Sequence, residues 1–282
     1  MKCAWQAYLQ ILPHWMRNEV DKLGKDSLQE LRIRIDQNPE LCFQRTTAFL
    51  SQKAVKEDIS YIINAASEYS PWSAESIGQG FITSAGGHRI GICGTATVNH
   101  GIMSGITNPS SLCIRVARDF DGISHPVGNI NSSILILGPP GSGKTTFLRD
   151  LIRYKSSHDP GSVAVIDERE EIFPMYKGKS CFREGDRTDI LSGCPKGNGI
   201  EIVLRSMNPS WIAVDEITAK EDCEALLNAG WCGAKLLATA HAGSLQDFKT
   251  RPVYHLLTEF NLFPTILVLQ KDKTWKVERT VL

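Results

Sequence analysis

The chain has 282 residues, 42% of them hydrophobic and 22% charged, which supplies enough apolar material for a real core. Intrinsic disorder and a disulfide-stapled miniature fold are thereby excluded, and the length predicts one large domain or two modest ones. With 31 basic residues against 31 acidic ones, a globally basic nucleic-acid binder is excluded too, though a local basic patch is not.

No run approaches the roughly 20 uninterrupted apolar residues of a membrane span. Near the N-terminus Gln6, Gln10 and Pro13 interrupt the apolar face. Neither the continuous h-region nor the cleavage site of a signal peptide is read there, and a cytoplasmic protein is expected. The eight cysteines, Cys3, Cys42, Cys93, Cys113, Cys181, Cys194, Cys223 and Cys232, form no C-x-x-C pair. They predict buried or spare thiols rather than metal or redox chemistry.

Trp5, Tyr8, Leu9 and Leu12 fall at i, i+3, i+4 and i+7 and predict a helix that Pro13 ends. Trp15, Met16, Val20 and Leu23 repeat the pattern up to Gly24, a face expected to pack on the protein's own sheet rather than on a membrane. Leu31, Ile33 and Ile35 alternate with Arg32 and Arg34, a period-two strand with both arginines on one side. Over 80–94, Phe81 and Ile82 lead into Gly86-Gly87 and His88-Arg89-Ile90 runs back, a hairpin whose glycines supply positive φ. Short strands at 95–98 and 112–116 complete a small mixed α+β module. The turn-rich run over 119–129 predicts the boundary, giving domains 1–125 and 126–282.

From residue 130 onward, short apolar runs at 133–137, 163–166, 211–214, 235–239 and 265–269 alternate with helical patterns. One helix face carries Phe147, Leu148, Leu151 and Ile152, another Ile200, Val203, Leu204 and Met207. Such runs read as strands buried on both faces, hence an α/β domain whose mainly parallel sheet is covered by helices.

Between the first of those strands and its helix stand Gly138, Pro139, Pro140, Gly141, Ser142, Gly143, Lys144, Thr145 and Thr146, a full G-x-x-x-x-G-K-[ST] run. The glycines let successive N–H groups converge on a phosphate at the positive end of the helix. Lys144 is expected to reach the β- and γ-oxygens, and the Thr145 hydroxyl to join a Mg²⁺ shell. These nine residues are the expected ATP contacts. The run ending in Asp215-Glu216 adds two carboxylates at the C-terminal end of a buried strand, where ligands sit in open α/β sheets. Asp215 is expected to hold Mg²⁺ and Glu216 to orient the attacking water, which favours ATP hydrolysis. A GTPase would need an Asn/Thr-Lys-x-Asp element, and Ala219-Lys220-Glu221-Asp222 lacks its first residue. Nothing marks the arginine-rich lid of a small-molecule kinase. Two further strand ends, Asp167-Glu168 and Thr239-Ala240-His241, are expected at the same site. His241 would there sense the γ-phosphate or position a switch loop. The expected catalytic groups are thus Glu216, Lys144, His241, Asp167 and Glu168.

Asp167-Glu168-Arg169 and Ala240-His241 resemble the Asp and His boxes of the secretion and type IV pilus ATPases, a RecA-like group that forms rings. The resemblance extends to the stage III sporulation AA family of endospore-forming bacteria, through the runs at 30–34, 80–91, 189–196 and 204–209. It implies a RecA-like P-loop ATPase domain behind a smaller α+β domain, with ATP and Mg²⁺ at the site. It further implies self-association into a ring of six and partners among the membrane proteins of the same sporulation operon. The implied place is the mother-cell cytoplasm, peripheral at the membrane facing the forespore. Two departures stand out: Asp215-Glu216 replaces the Gly-Glu of secretion ATPases, and no arginine follows in Ile217-Thr218-Ala219. Arg89, on its Gly-flanked hairpin, is therefore the expected cation brought to the nucleotide by the N-terminal module. One alternative is a nucleic-acid-linked ATPase with Arg32, Arg34, Arg89, Arg115 and Arg118 as a basic face. A solvated sheet surface or a subunit contact is the preferred reading of those arginines. A nucleotide-switched scaffold of negligible turnover is the third.

Overall fold

The structure, a computed structural model, describes residues 1–24, 26–68, 80–99 and 102–279. They gather into two compact units, Met1–Asp119 with Pro174–Phe182, and Phe120–Phe173 with Arg183–Leu282.

In the first unit, helices α1 (Trp5–Gln10) and α2 (His14–Asp21) bury Trp5, Tyr8, Leu9, Met16 and Val20, as their spacing requires. Leu23 lies past the end of α2 and is exposed rather than part of that face. These side chains share one core with Leu31 and Ile33 of the sheet. Strands β1 (Glu30–Arg34), β2 (Glu40–Cys42) and β3 (Thr47–Phe49), helix α3 (Lys56–Ser67), and strands β4 (Phe81–Thr83), β5 (Arg89–Asn99) and β6 (Ile102–Arg115) follow. The six strands pair antiparallel in the order β3-β2-β1-β6-β5-β4. Arg32 and Arg34 stand on the other face of β1, paired with Glu30 at 2.9 Å and Glu40 at 3.1 Å. The short strands expected at 95–98 and 112–116 are parts of one long β5–β6 hairpin instead. Its register shifts between Cys93 and Thr95, and the intervening Gly94 accounts for the difference. A Cβ there would meet the Asn108 carbonyl at 2.7 Å, so glycine marks a bulge, not a strand end.

Gly86 and Gly87 take φ of 82° and 81°, the conformation that turn demands. The turn delivers His88 into the interior, fully buried. Its Nδ1 accepts from the Ala117 N–H at 3.0 Å, so Nε2 carries the proton and donates to the Ala4 carbonyl at 3.0 Å. The neutral ring thus ties the entry of α1 to the backbone leaving β6. Burial depresses its pKa from 6.5 to about 4. A folded value below the unfolded one gives stability that is complete above pH 6.5 and lost as pH falls through about 4. His88→Gln keeps a donor and an acceptor without a titrating ring. In urea titrations between pH 7 and pH 4 it should flatten the parent's loss of stability. An unchanged pH profile would remove His88 from the acid response.

In the second unit α4 (His125–Gly128) precedes β7 (Ile134–Leu137), α5 (Lys144–His158) and β8 (Val163–Asp167). The hairpin β9 (Met175–Tyr176) and β10 (Lys179–Ser180) leaves this unit for the first one. The chain returns through β11 (Thr188–Ser192), α6 (Lys196–Ser206), β12 (Trp211–Val214), α7 (Lys220–Trp231) and β13 (Lys235–Ala240). It ends with α8 (Leu245–Thr250), α9 (His255–Glu259), β14 (Thr265–Leu269) and β15 (Trp275–Arg279). Seven strands run β11-β8-β12-β13-β7-β14-β15, parallel except for β15. Leu135, Leu137, Ile212 and Val214 join the core under α6, α7 and α9, and α5 packs across β7, β8 and β13. Helices therefore cover the sheet, as the apolar runs require. Met207 is the exception to its expected face: it caps α6 and is exposed.

The boundary falls between Asp119 and Phe120 rather than at 125–126. Asp119 exchanges both backbone hydrogen bonds with Lys2, at 2.8 and 2.9 Å, which keeps it in the first unit. Gly122 and Ser124 instead give their N–H groups to Asp150 of α5, at 3.0 and 2.8 Å, and so belong to the second.

Candidate functional site

The parallel strands β7, β8, β12 and β13 end on one edge of the sheet, and every expected residue of the second unit sits at those ends. After β7 the loop turns with φ of 73° at Gly141 and 99° at Gly143, which caps α5. Gly138 needs its missing side chain for another reason. A Cβ would stand 2.9 Å from the Leu269 carbonyl and 2.5 Å from the Ser142 hydroxyl. That hydroxyl is buried with no hydrogen-bond partner. Lys273, on the turn after β14, donates to the Gly141 carbonyl.

Lys144, the first residue of α5, is folded back over the loop. Its ammonium donates to the carbonyls of Gly138 at 3.0 Å and Pro139 at 3.2 Å, and to His241 Nδ1 at 3.0 Å. Burial lowers its pKa, and the charges of Asp215 and Glu216 oppose that shift. Because an ammonium only donates, His241 accepts at Nδ1 and carries its proton on Nε2. Nε2 lies 2.9 Å from Glu216 Oε1, and Glu216 Oε2 lies 3.2 Å from the guanidinium of Arg169. Four strand ends are thereby joined in one chain: Lys144, His241, Glu216, Arg169.

A second set lies beside it. The Thr145 hydroxyl donates to Asp215 Oδ2 at 2.7 Å, and the Thr239 hydroxyl donates to Asp215 Oδ1. Thr239 also accepts the Glu216 N–H at 2.8 Å, and its carbonyl takes the Ile217 N–H at 2.9 Å. Glu216 is held there at φ 50°, a left-handed conformation that non-glycine residues avoid. The two bonds from the neighbouring strand hold that conformation in place.

Asp167 and Glu168 are occupied differently. Asp167 is buried and turned into its own loop, accepting the N–H groups of Glu171 at 2.9 Å and Phe173 at 2.7 Å. Burial raises its pKa from 3.8 to about 6 against the pull of those bonds. From the other side, Arg149 of α5 donates to the carbonyls of Glu171, at 2.9 Å, and Ile172. Glu168 pairs with Lys196, which is buried at the start of α6 and stands 3.6 Å from Asp222. Asp222 caps α7 through the N–H groups of Thr218 at 3.0 Å and Ala219 at 3.2 Å. The run Cys194-Pro195-Lys196 thus delivers a buried cation between two carboxylates. Arg89 lies in the first unit, its guanidinium 3.8 Å from the centre of the Phe81 ring. Arg169, Lys196 and Arg149 were not read as site residues from the sequence. For Arg169 a signal existed, its place directly after Asp167-Glu168.

Comparison with known proteins gives the chain a fold and a family. The ATPase DotB of Legionella pneumophila shares the fold with a TM-score of 0.61 at 15% identity, covering 95% of this chain and 80% of that one. The pilus retraction motor PilT with bound ADP gives a TM-score of 0.61 at 17% identity, covering 90% and 76%. The fold is therefore RecA-like. Stage III sporulation protein AA of Bacillus subtilis (strain 168) is 35% identical over 277 residues, 94% of this chain and 90% of that protein. The model of the family described as "Sporulation stage III, protein AA" matches residues 6–279. That match spans both units rather than the phosphate loop alone, and the chain belongs to the sporulation stage III protein AA family.

Proposed function

We propose that this protein is a Mg²⁺-dependent ATPase whose hydrolysis drives assembly or movement in a membrane-associated, secretion-like channel during endospore formation. The observation that carries the reading is the contact between Thr145 and Asp215. It sets one hydroxyl and one carboxylate at the mouth of the phosphate loop, joined at 2.7 Å. Two hard oxygen donors beside a phosphate cradle are what Mg²⁺ takes, its other positions going to water and phosphates. Once bound, the ion would screen the β- and γ-phosphate charge. Lys144 is the cation for the phosphate oxygens, the loop N–H groups orient the chain of phosphates, and Glu216 takes the proton of the attacking water.

The resemblance to ring-forming ATPases supports a working unit of several copies, six by that likeness. Arg89 is then the cation that an N-terminal unit, from the same or a neighbouring chain, brings to nucleotide. Membrane proteins of the same sporulation operon are the proposed partners, on the mother-cell face of the membrane. Among the described residues no helix is long and apolar enough to cross a membrane. The ion pairs of Arg32 and Arg34 with Glu30 and Glu40 favour a balanced sheet face over a nucleic-acid surface.

The test is turnover of ATP against Mg²⁺ concentration. Asp215→Asn loses the charge that holds the ion and should shift half-activation to roughly tenfold higher Mg²⁺, the scale of one lost charge-assisted contact. Parent turnover that ignores Mg²⁺, or a variant curve that overlays the parent's, would overturn the reading.

A further inference from the structure

We propose that Arg169 is a further catalytic residue. Its guanidinium leaves Glu216 when Mg-ATP binds and meets the γ-phosphoryl group within the same chain. This rests on the ATPase reading above and deepens it.

The starting point is a shortage within the second unit, to which Arg89 does not belong. Phosphoryl transfer gains greatly from a cation on the transferring group, and the Asp215–Glu216 loop runs on through Ile217, Thr218 and Ala219 without one. Asp167, Glu168, Arg169, Glu171, Lys196, Asp215 and Glu216 line a single cleft. Two of these are basic. Lys196 is buried and committed to Glu168 and Asp222. Arg169 is about half exposed and reaches Glu216 Oε2 at 3.2 Å. An ion pair that open holds its partners weakly, so exchanging one anion for another costs little.

The turn that presents Arg169 is, by contrast, fixed. The Asp167 carboxylate takes two of its N–H groups, and Arg149 takes two of its carbonyls. Only the side chain is left to move, and it starts on the very residue that must face the attacking water. The contact also has a consequence for Glu216. Oε1 is engaged by His241 and Oε2 by Arg169, so neither oxygen is ready for a proton. Transfer of the guanidinium to phosphate frees Oε2 and delivers the charge in one motion. The water oxygen then bonds to Pγ while the bond from Pγ to the bridging oxygen breaks. The electron pair of that bond stays on ADP, and the water's proton passes to Glu216 Oε2.

The test uses the full chain. Arg169→Ala should lower turnover by roughly 10³-fold, with Mg-ATP and Mg-ADP affinities within about twofold of the parent, and Arg169→Lys should recover part of the loss. Aluminium fluoride should tighten ADP binding to the parent and not to Arg169→Ala, a difference that a merely structural role would not produce. Where the isolated parent turns over too slowly to assay, that comparison decides alone. Mixing Arg169→Ala with Lys144→Ala should restore no activity, because each site needs both residues from one chain. Restored activity would overturn action within the chain. Arg169→Ala that works as well as the parent overturns the proposal, and faster turnover would make the arginine a brake on Glu216. A parent that binds no Mg-ATP sinks the ATPase reading itself, a result distinct from all of these.

Discussion

Glu216→Gln should bind Mg-ATP about as tightly as the parent and hydrolyse it roughly 100-fold more slowly or worse, the scale of losing a general base. Glutamine keeps the length and one acceptor oxygen, so the bond from His241 Nε2, 2.9 Å in the parent, has a partner. It cannot take the water's proton, and it no longer pairs with the guanidinium of Arg169. The backbone at this position is set by Thr239 rather than by the carboxylate, through the 2.8 Å bond to the Glu216 N–H. The substitution therefore leaves the site's shape alone and removes its chemistry. Calorimetric titration for affinity and phosphate release for turnover separate the two. Turnover equal to the parent's would mean that another group orients the water.

Lys144→Ala acts one step earlier. Charge-assisted hydrogen bonds are worth about 1.5–3 kcal/mol each, so losing two to phosphate oxygens should weaken Mg-ATP binding by about 100-fold or more. The loop keeps its path, since Gly141 and Gly143 hold their positive φ regardless of the lysine. What disappears is the ammonium that bridges the Gly138 and Pro139 carbonyls and His241. His241 then loses its donor at Nδ1, so the tautomer that serves Glu216 is no longer imposed. Unchanged affinity and turnover would mean that nucleotide binds elsewhere.

The strands whose ends carry the candidate site were legible because each is buried on both faces and so reads as an unbroken apolar run. Strand β11 escaped that reading. It is half-buried along its whole length and carries Thr188, Asp189 and Ser192, so no apolar run marks it. Strands β2 and β3 have three residues each, too few to show a period. Helix α3 was legible in principle, since Ile59, Ile62 and Ala66 are buried at helical spacing. In the site, Lys144, Thr145 and Asp215 follow from motif and strand end. The bond between Arg169 and Glu216 does not, because it spans 47 positions and joins two loops whose approach only the sheet order creates. Arg149 and Lys196 were hidden for a simpler reason: charged residues on helices read as solvated until the carbonyls and carboxylates that neutralise them are seen.

The hairpin β9–β10 sets the order in which this protein matures on the ribosome. Glu68 holds Tyr176 and Lys177, and a Cβ at Gly87 would stand 3.3 Å from Pro174 and 3.1 Å from Cys181. The N-terminal unit therefore waits for a segment encoded after the phosphate loop. At about 5–20 residues per second, synthesis exposes its unfinished surface for several seconds. During that time β7, α5 and β8 emerge beside it, already able to begin pairing. The two units are thus not beads finished in turn along a thread. No single cut of the gene yields the N-terminal unit both whole and alone, and a circular order of translation starting after residue 182 would make it the last of the two to be completed.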